Sequence, residues 1–353
     1  MQTITLNSPL DMHIHLRQDD MLENVAKYTT NSFSGAIVMP NLQPSVTTKE
    51  QVIKYKKQIN EVAGSDDFEP LMTVFYAKDL DVEKLVDMKD EITAVKYYPQ
   101  GATTNSDGGL AFIDIEAMRP VIEKLQELEI PLLFHGETNG FVMDREYEFH
   151  NVWESLAKAF PKLKIMMEHI SDRRTIDLLD KYDNLYATVT VHHLLYTLDD
   201  VIGGMLEPHM FCKPVIKTPA DRDAIQKAVL AGHPKIMFGS DSAPHLKENK
   251  LKTSGSAGIF TAPLALPLLA EFFERHDKLE LMQAFVSDNA KKIYNLKNIP
   301  QKTILLEKKE WSVPEEYAGV VPILAGHTLN WSIIGSCLVS PRYGCLTSEV
   351  QKR

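Results

Sequence analysis

Eight short apolar runs recur along this chain, separated by longer amphipathic stretches, and no other feature of the sequence restricts its fold so closely. The runs are Met12–Leu16, Ala36–Met39, Leu71–Tyr76, Ala94–Tyr98, Leu132–His135, Lys164–His169, Leu185–His192 and Lys235–Gly239. Between them lie segments with helical periodicity: Lys49–Val62, Val82–Lys89, Asp114–Leu128, Asn151–Phe160, Asp172–Lys181 and Pro219–Leu230. A strand followed by a helix, repeated, requires neighbouring strands to run parallel with the helix as crossover. Eight such units predict an α/β fold closed as a (β/α)8 barrel of the TIM type. An open doubly wound sheet is the architectural alternative, but no GxGxxG follows the first strand. No Pro-, Gly- or Ser-rich linker divides the chain, so residues 1–331 are expected to form one catalytic barrel domain. Periodicity weakens beyond Trp311, and residues 332–353 read as a peripheral C-terminal tail with no assigned structure.

Composition narrows the function classes. With 353 residues, 44% of them hydrophobic and 24% charged, the chain is an ordinary globular protein able to bury a large core. Its net charge of −10 and the lack of any run of five basic residues exclude nucleic acid as the leading partner. No apolar run reaches the roughly 18 residues a membrane span needs, and Met1–Leu6 shows no secretory pattern, so no membrane association and a cytoplasmic location are expected. Cys212, Cys337 and Cys345 show no CxxC spacing and indicate neither a disulfide framework nor a thiolate metal site. Any bound metal therefore falls to histidines and carboxylates.

Those residues sit where a barrel keeps its chemistry, at strand ends. His13 and His15 lie in the first strand, Asn41 just after the second, Lys96 in the fourth, His135 and His169 end the fifth and sixth, and Asp241 follows the eighth. Side chains two apart in a strand share a face, so His-Ile-His offers two imidazoles to one ion, and imidazole suits zinc. Taken alone, the same pattern also fits a polar strand face, and Asp241 also fits a turn or helix N-cap. Lys96 is the unusual member, because an ammonium inside a barrel strand is costly and cannot ligate a cation. Either a buried ion pair neutralises it, or its neutral amine reacts with carbon dioxide to give a carbamate whose two oxygens bridge two metals.

With these residues stand the motifs Asp-Met-His-Ile-His-Leu-Arg, Val-Met-Pro-Asn-Leu, Val-Lys-Tyr-Tyr-Pro, Ala-Thr-Thr-Asn-Ser, Leu-Leu-Phe-His-Gly-Glu, Glu-His-Ile and Gly-Ser-Asp-Ser-Ala-Pro-His. Together they resemble the metal-dependent amidohydrolase superfamily and, within it, the dihydroorotases of the single-domain bacterial type. The likeness runs from about Leu10 to Ala262 and returns weakly at Pro322–Trp331. The resemblance implies two zinc ions per chain, one held by His13, His15 and Asp241 and the other by His135 and His169, with Lys96 as N6-carboxylysine bridging both. It implies that Arg17, Asn41 and His245 bind a substrate carboxylate, that His15 and His135 also face the substrate, and that Ala257 contributes through its backbone. Thr103 and Thr104 resemble the tip of a mobile loop that closes over substrate. At Lys213 the family pattern carries an apolar residue whose main chain touches substrate, so a lysine here is a departure.

The implied reaction is the reversible, zinc-dependent interconversion of N-carbamoyl-L-aspartate and L-dihydroorotate in pyrimidine biosynthesis, with a metal-bridging hydroxide as nucleophile and Asp241 as general acid and base. A hydantoinase or allantoinase shares the metal residues but reads another ring substituent, so Arg17, Asn41 and His245 discriminate. A barrel kept only as a scaffold usually lacks several ligands, and here none is missing. The partner expected is a small-molecule substrate, and a homodimer is compatible with this reading.

Overall fold

The computed structural model describes residues 2–110, 113–340 and 344–348. In chain order the strands are β1 (Thr3–Asn7), β2 (Leu10–Ile14), β3 (Gly35–Val38), β4 (Glu69–Phe75), β5 (Ala94–Tyr97), β6 (Leu132–Phe134), β7 (Ile165–Met167), β8 (Leu185–Val189), β9 (Ile236–Phe238), β10 (Lys302–Ser312), β11 (Thr328–Ser340) and β12 (Gly344–Ser348). Strands β2 to β9 form one eight-stranded sheet in sequential order, every neighbouring pair parallel. It curls toward closure where the end of β9 meets β2. A bridge pairs Ile14 with Ser242, Asp241 N donates to His13 O at 2.8 Å, and His15 N donates to Ser242 O at 3.1 Å. All eight expected strands are present, within a few residues of the expected bounds, in a (β/α)8 barrel.

The crossover helices start where the sequence supplies caps. Thr48 and Gln51 form a capping box before Lys49–Ala63, Asp81 caps Val82–Met88, Asp114 caps Ile115–Glu127, and Thr218 with Asp221 boxes Pro219–Leu230. Each such side chain satisfies an otherwise unpaired helical N–H and contributes about 1 kcal/mol. Asp19–Thr30 and Ala265–Arg275, which the sequence reading did not mark, are helices as well.

Inside the barrel, Leu10, Met12, Ile37, Met39, Leu71, Ala94, Leu133, Met166 and Met237 pack into one buried cluster, joined by Ile293, Tyr294 and Ile299. The chain around Ser287–Tyr294 seals the mouth at the strands' N-terminal ends: Ser287 Oγ donates to Asn7 O and Ser8 O before β2, and Asn289 Nδ2 to Ile236 O at the start of β9. The opposite mouth, at the C-terminal ends, is left for chemistry.

β1, β10, β11 and β12 make a second, antiparallel sheet. Residues 332–353 were expected to carry no structure; instead 332–340 continue β11 and 344–348 form β12. The pairing that orders them is non-local, Lys302 opposite Leu338 and Ser336 opposite Ser348, so no local periodicity announces it. Trp331, fully buried, anchors β11 by donating from its indole N–H to Glu274 at 3.0 Å. Cys337 is disulfide-bonded, contrary to the expectation from cysteine spacing, while Cys212 is a free buried thiol. No helix among the described residues is long and apolar enough to cross a membrane.

Candidate metal centre and substrate chamber

The six residues marked as metal donors converge at the C-terminal mouth, and all six are buried. His13 and His15 come from the end of β2, Lys96 from β5, and His135, His169 and Asp241 from the residues following β6, β7 and β9. A register shift between Asp11 and Ile14 in β2 interrupts the regular alternation just as the histidines begin. Such a bulge re-aims side chains, here from the apolar barrel interior at Met12 to the mouth. Asp11 pins it, accepting from the backbone N–H of His13 at 3.2 Å and of Ser240 at 2.7 Å. His169 and Asp241 adopt φ of 41° and 42°, and Arg17 one of 60°, a left-handed conformation that non-glycine residues rarely hold unless their surroundings impose it.

Donor separations fit shared cations. His15 Nε2 lies 3.1 Å and His13 Nε2 3.4 Å from Asp241 Oδ1, and His135 Nδ1 lies 3.1 Å from His169 Nε2. Two ligands at the 2.0–2.1 Å typical of zinc, at a tetrahedral angle, sit about 3.3 Å apart. His13, His169 and Asp241 also bring donor atoms within 4.8 Å of one another, which links the two groups. Burial holds His13, His15 and His169 well below the usual imidazole range, so they stand neutral, as ligands must.

Two glutamates aim the histidines. Glu168 contacts His13 Nδ1 and leaves Nε2, which has no hydrogen-bond partner among the described residues, facing the centre. Glu137 accepts from His135 Nε2 at 2.9 Å and leaves Nδ1 facing it. Fixing one ring nitrogen in this way sets the tautomer and orientation of the other. Burial pushes the Glu168 carboxyl up to about 7, with the Lys96 ammonium opposing. Glu168→Ala is expected to weaken metal binding about 10- to 100-fold, read by competition with a chromogenic chelator. Parental affinity in that variant would mean His13 is oriented by packing alone.

Lys96 Nζ is fully buried with no hydrogen-bond partner among the described residues, 5.0 Å from the Tyr98 ring centroid. Its nearest influential charges are Glu168 and Asp241, and burial outweighs both, lowering the amine to about 8. Among the described residues it makes no ion pair, the buried pairing that one reading of the sequence offered.

Above these donors, His13, His15, Arg17, Asn41, Tyr98, Thr103, Thr104, His135, His169, Lys213, Asp241 and Ala257 line a chamber of about 20 Å³. Lys96 lies beneath its floor, and His245 sits one step outward, against Arg17. The guanidinium donates from Nε to Pro244 O at 3.1 Å and approaches His245 Nε2 at 3.1 Å. The same His245 nitrogen is 2.9 Å from Ala257 O, so it donates there and cannot also accept from Arg17. Among the described residues both terminal NH2 groups of Arg17 are thereby left for an anion. Asn41 Nδ2 donates to Thr104 O at 2.9 Å, and Thr104 Oγ1 reaches Ala257 O at 3.4 Å, which closes the loop over the chamber. Every residue marked from the sequence therefore lies in or against one site. Glu137, Glu168 and Tyr98 were missed as site residues although each stands inside a quoted motif, because a glutamate beside a histidine in sequence does not disclose a contact with it.

A second group of donors, His192, His193 and Cys212, is also buried. It suits a cation poorly: both His193 nitrogens are engaged, with Thr190 Oγ1 at 2.9 Å and Pro214 O at 3.0 Å, and the Lys217 and Lys250 ammoniums bear on the two imidazoles. A larger apolar cavity of about 400 Å³, lined by Leu198, Val201, Met210 and Ile216 among others, contains none of the residues marked from the sequence.

The chain is similar to known proteins. Residues 79–296 match the amidohydrolase family model. A dihydroorotase of Helicobacter hepaticus is 46% identical over 94% of this chain and 98% of its own length. The chain belongs to the dihydroorotase family of the amidohydrolases. A crystal structure of the Campylobacter jejuni dihydroorotase superposes with a TM-score of 0.89 at 48% identity, covering 94% of this chain and 97% of that one. The Saccharomyces cerevisiae dihydroorotase, solved with 5-fluoroorotic acid, gives 0.89 at 35% identity over 94% and 98%. Dihydroorotases are cyclic amide hydrolases of a metal-dependent superfamily, in keeping with the donor set described above.

Proposed function

We propose that this chain interconverts L-dihydroorotate and N-carbamoyl-L-aspartate in pyrimidine biosynthesis, using two zinc ions bridged by a carbamylated Lys96. The observation that carries the reading is the pairing of a histidine and carboxylate donor set with Arg17 and Asn41 in the same chamber, with His245 against Arg17. A ring amide needs the first group, and a ring carboxylate needs the second. A hydantoinase or allantoinase substrate lacks that carboxylate and gives no role to the free Arg17 fork.

His13, His15 and Asp241 would hold one ion, His135 and His169 the other, with the Lys96 carbamate between them. When bound, two divalent ions supply hydroxide at neutral pH and polarise the scissile carbonyl. A carbamate gives Lys96 what the amine lacks, a negative group with two oxygens, and accounts for a buried nitrogen that makes no ion pair.

Arg17 meets the substrate carboxylate with a planar fork, assisted by Asn41, and so fixes which ring carbonyl faces the donors. In ring opening, water adds to that carbonyl carbon and the bond to the ring nitrogen breaks. Asp241 takes the proton of the attacking oxygen and delivers it to the departing nitrogen, giving the carbamoyl amide and a second carboxylate. In the reverse direction it removes a proton from the carbamoyl nitrogen. Its Oδ1 lies 3.4 Å from His13 Nε2 and 3.1 Å from His15 Nε2, which supports a carboxylate shared between the donor set and the proton transfers.

The test is ultraviolet absorbance during incubation of zinc-loaded protein with L-dihydroorotate. Ring opening is expected from the parent, with Arg17→Met lowering kcat/KM about 100-fold at unchanged metal content, as expected for loss of a desolvated charge pair. Turnover of a hydantoin but not of dihydroorotate would move the reading to another cyclic amide.

A further inference from the structure

Lys213 departs from the apolar residue of the family pattern, and the structure gives its side chain a distinct contact. It lines the chamber and sends its ammonium across to the carbonyl of Ala102, 2.9 Å away, at the base of the 101–109 loop. Ala102 is itself buried. Among the described residues Lys213 makes no ion pair and no other hydrogen bond, so this carbonyl is the partner its charge has. Placing an ammonium in a half-buried wall where an apolar side chain suffices has a desolvation cost that the contact must offset.

The loop's other tethers act at its tip and on another wall. Asn41 Nδ2 holds Thr104 O, Asn105 Nδ2 reaches Asn41 O at 3.1 Å, Gln43 Nε2 holds Asn105 Oδ1 at 2.7 Å, and Thr104 Oγ1 makes a long contact of 3.4 Å to Ala257 O. Within the loop, Ser106 Oγ donates to Thr103 O at 2.7 Å and accepts from Thr103 N at 2.9 Å, so the tip is a compact unit. Lys213 ties this unit to the chamber wall through Ala102, the residue before Thr103, so a loop that lifts away from the wall breaks the contact. The chamber's 20 Å³ has room for about one water molecule, not a six-membered ring, so substrate entry requires this loop to lift.

We propose that Lys213 is a positioning residue, the latch that holds the loop closed over bound substrate. The proposal rests on the lid reading of Thr103 and Thr104. Removing the ammonium leaves the Ala102 carbonyl buried and unpaired in the closed state, which disfavours closure and leaves the open state untouched.

In the metal-loaded enzyme, Lys213→Met and Lys213→Gln are each expected to raise KM about tenfold, the weight of one charged hydrogen bond, with kcat changed less. Metal content stays parental, amide exchange over residues 100–110 quickens, and Lys213→Arg, which restores a charged donor, recovers the KM. Parental KM and parental exchange in both Met and Gln variants would overturn the latch. A Thr103→Ala, Thr104→Ala double variant separates the two readings: its impairment beside an unaffected Lys213→Met removes the latch alone, whereas parental rates in the double variant remove the lid as well.

Discussion

Asp241→Asn is expected to lower kcat about 1,000-fold or more while the protein stays folded, because positioned proton transfer contributes about 10² to 10⁴ and the proposed mechanism has this residue serve both halves of the reaction. The substitution preserves volume and keeps one oxygen near His13 and His15, whose Nε2 atoms stand 3.4 and 3.1 Å from Oδ1. What it removes is basicity. An amide oxygen still approaches an ion weakly, so the loss of metal is smaller than the loss of rate. Asp241→Ala removes both, and with them the donor shared by the two histidines. Steady-state rates and elemental metal content measured on the same preparations separate these effects. If the Asn variant's rate falls only in proportion to its zinc, Asp241 is a ligand and the proton moves through another group.

This division of labour shows what was legible in the sequence. Barrel strands are short, apolar and bounded by their own helices, so local pattern finds them, and the eight runs from Met12 to Gly239 all became strands. The residues after those strands inherit a position from the fold, which is why His135, His169 and Asp241 were identified without any knowledge of their contacts. What escaped depends on pairing between distant segments. β11 and β12 owe their order to β10 and β1, and β1 pairs Thr3 with Glu307 across the whole chain. Glu137 and Glu168 escaped for a different reason: each lies beside one ligand in sequence, yet Glu168 orients His13, 155 residues away, rather than His169 next to it. The bulge at Asp11 was equally silent, although without it the alternation that turns Leu10 and Met12 into the barrel would continue unbroken and turn His13 and His15 to the other face.

Lys96→Met should separate stability from activity more sharply than any other single change. In the absence of metal, Lys96 is a fully buried amine with no hydrogen-bond or ion-pair partner among the described residues, wedged against Tyr98 and flanked by the buried Leu133 across the β5–β6 pair. An unpaired buried charge destabilises a fold by several kcal/mol, and an apolar residue of similar length removes that cost. Metal-free Lys96→Met is therefore expected to melt several degrees above the metal-free parent, roughly 2–4 °C per kcal/mol for a domain of this size or somewhat less. The metal-loaded comparison runs the other way. On the proposed carbamate, removing the nitrogen takes away the negative ligand shared by the two groups of histidines, so bound zinc is expected to fall from the proposed two per chain to one or fewer and turnover to drop about 100- to 1,000-fold, as for other losses of electrostatic stabilisation at a reacting centre. Ligand binding stabilises in proportion to affinity, so the parent gains far more melting temperature from added zinc than the variant does, and the order of the two melting curves reverses on loading. Calorimetry with and without chelator, alongside zinc counting, checks each part. A variant that keeps two zinc ions and parental turnover would remove Lys96 from the centre, and one that melts lower without metal would mean that the buried amine is paired in the folded protein.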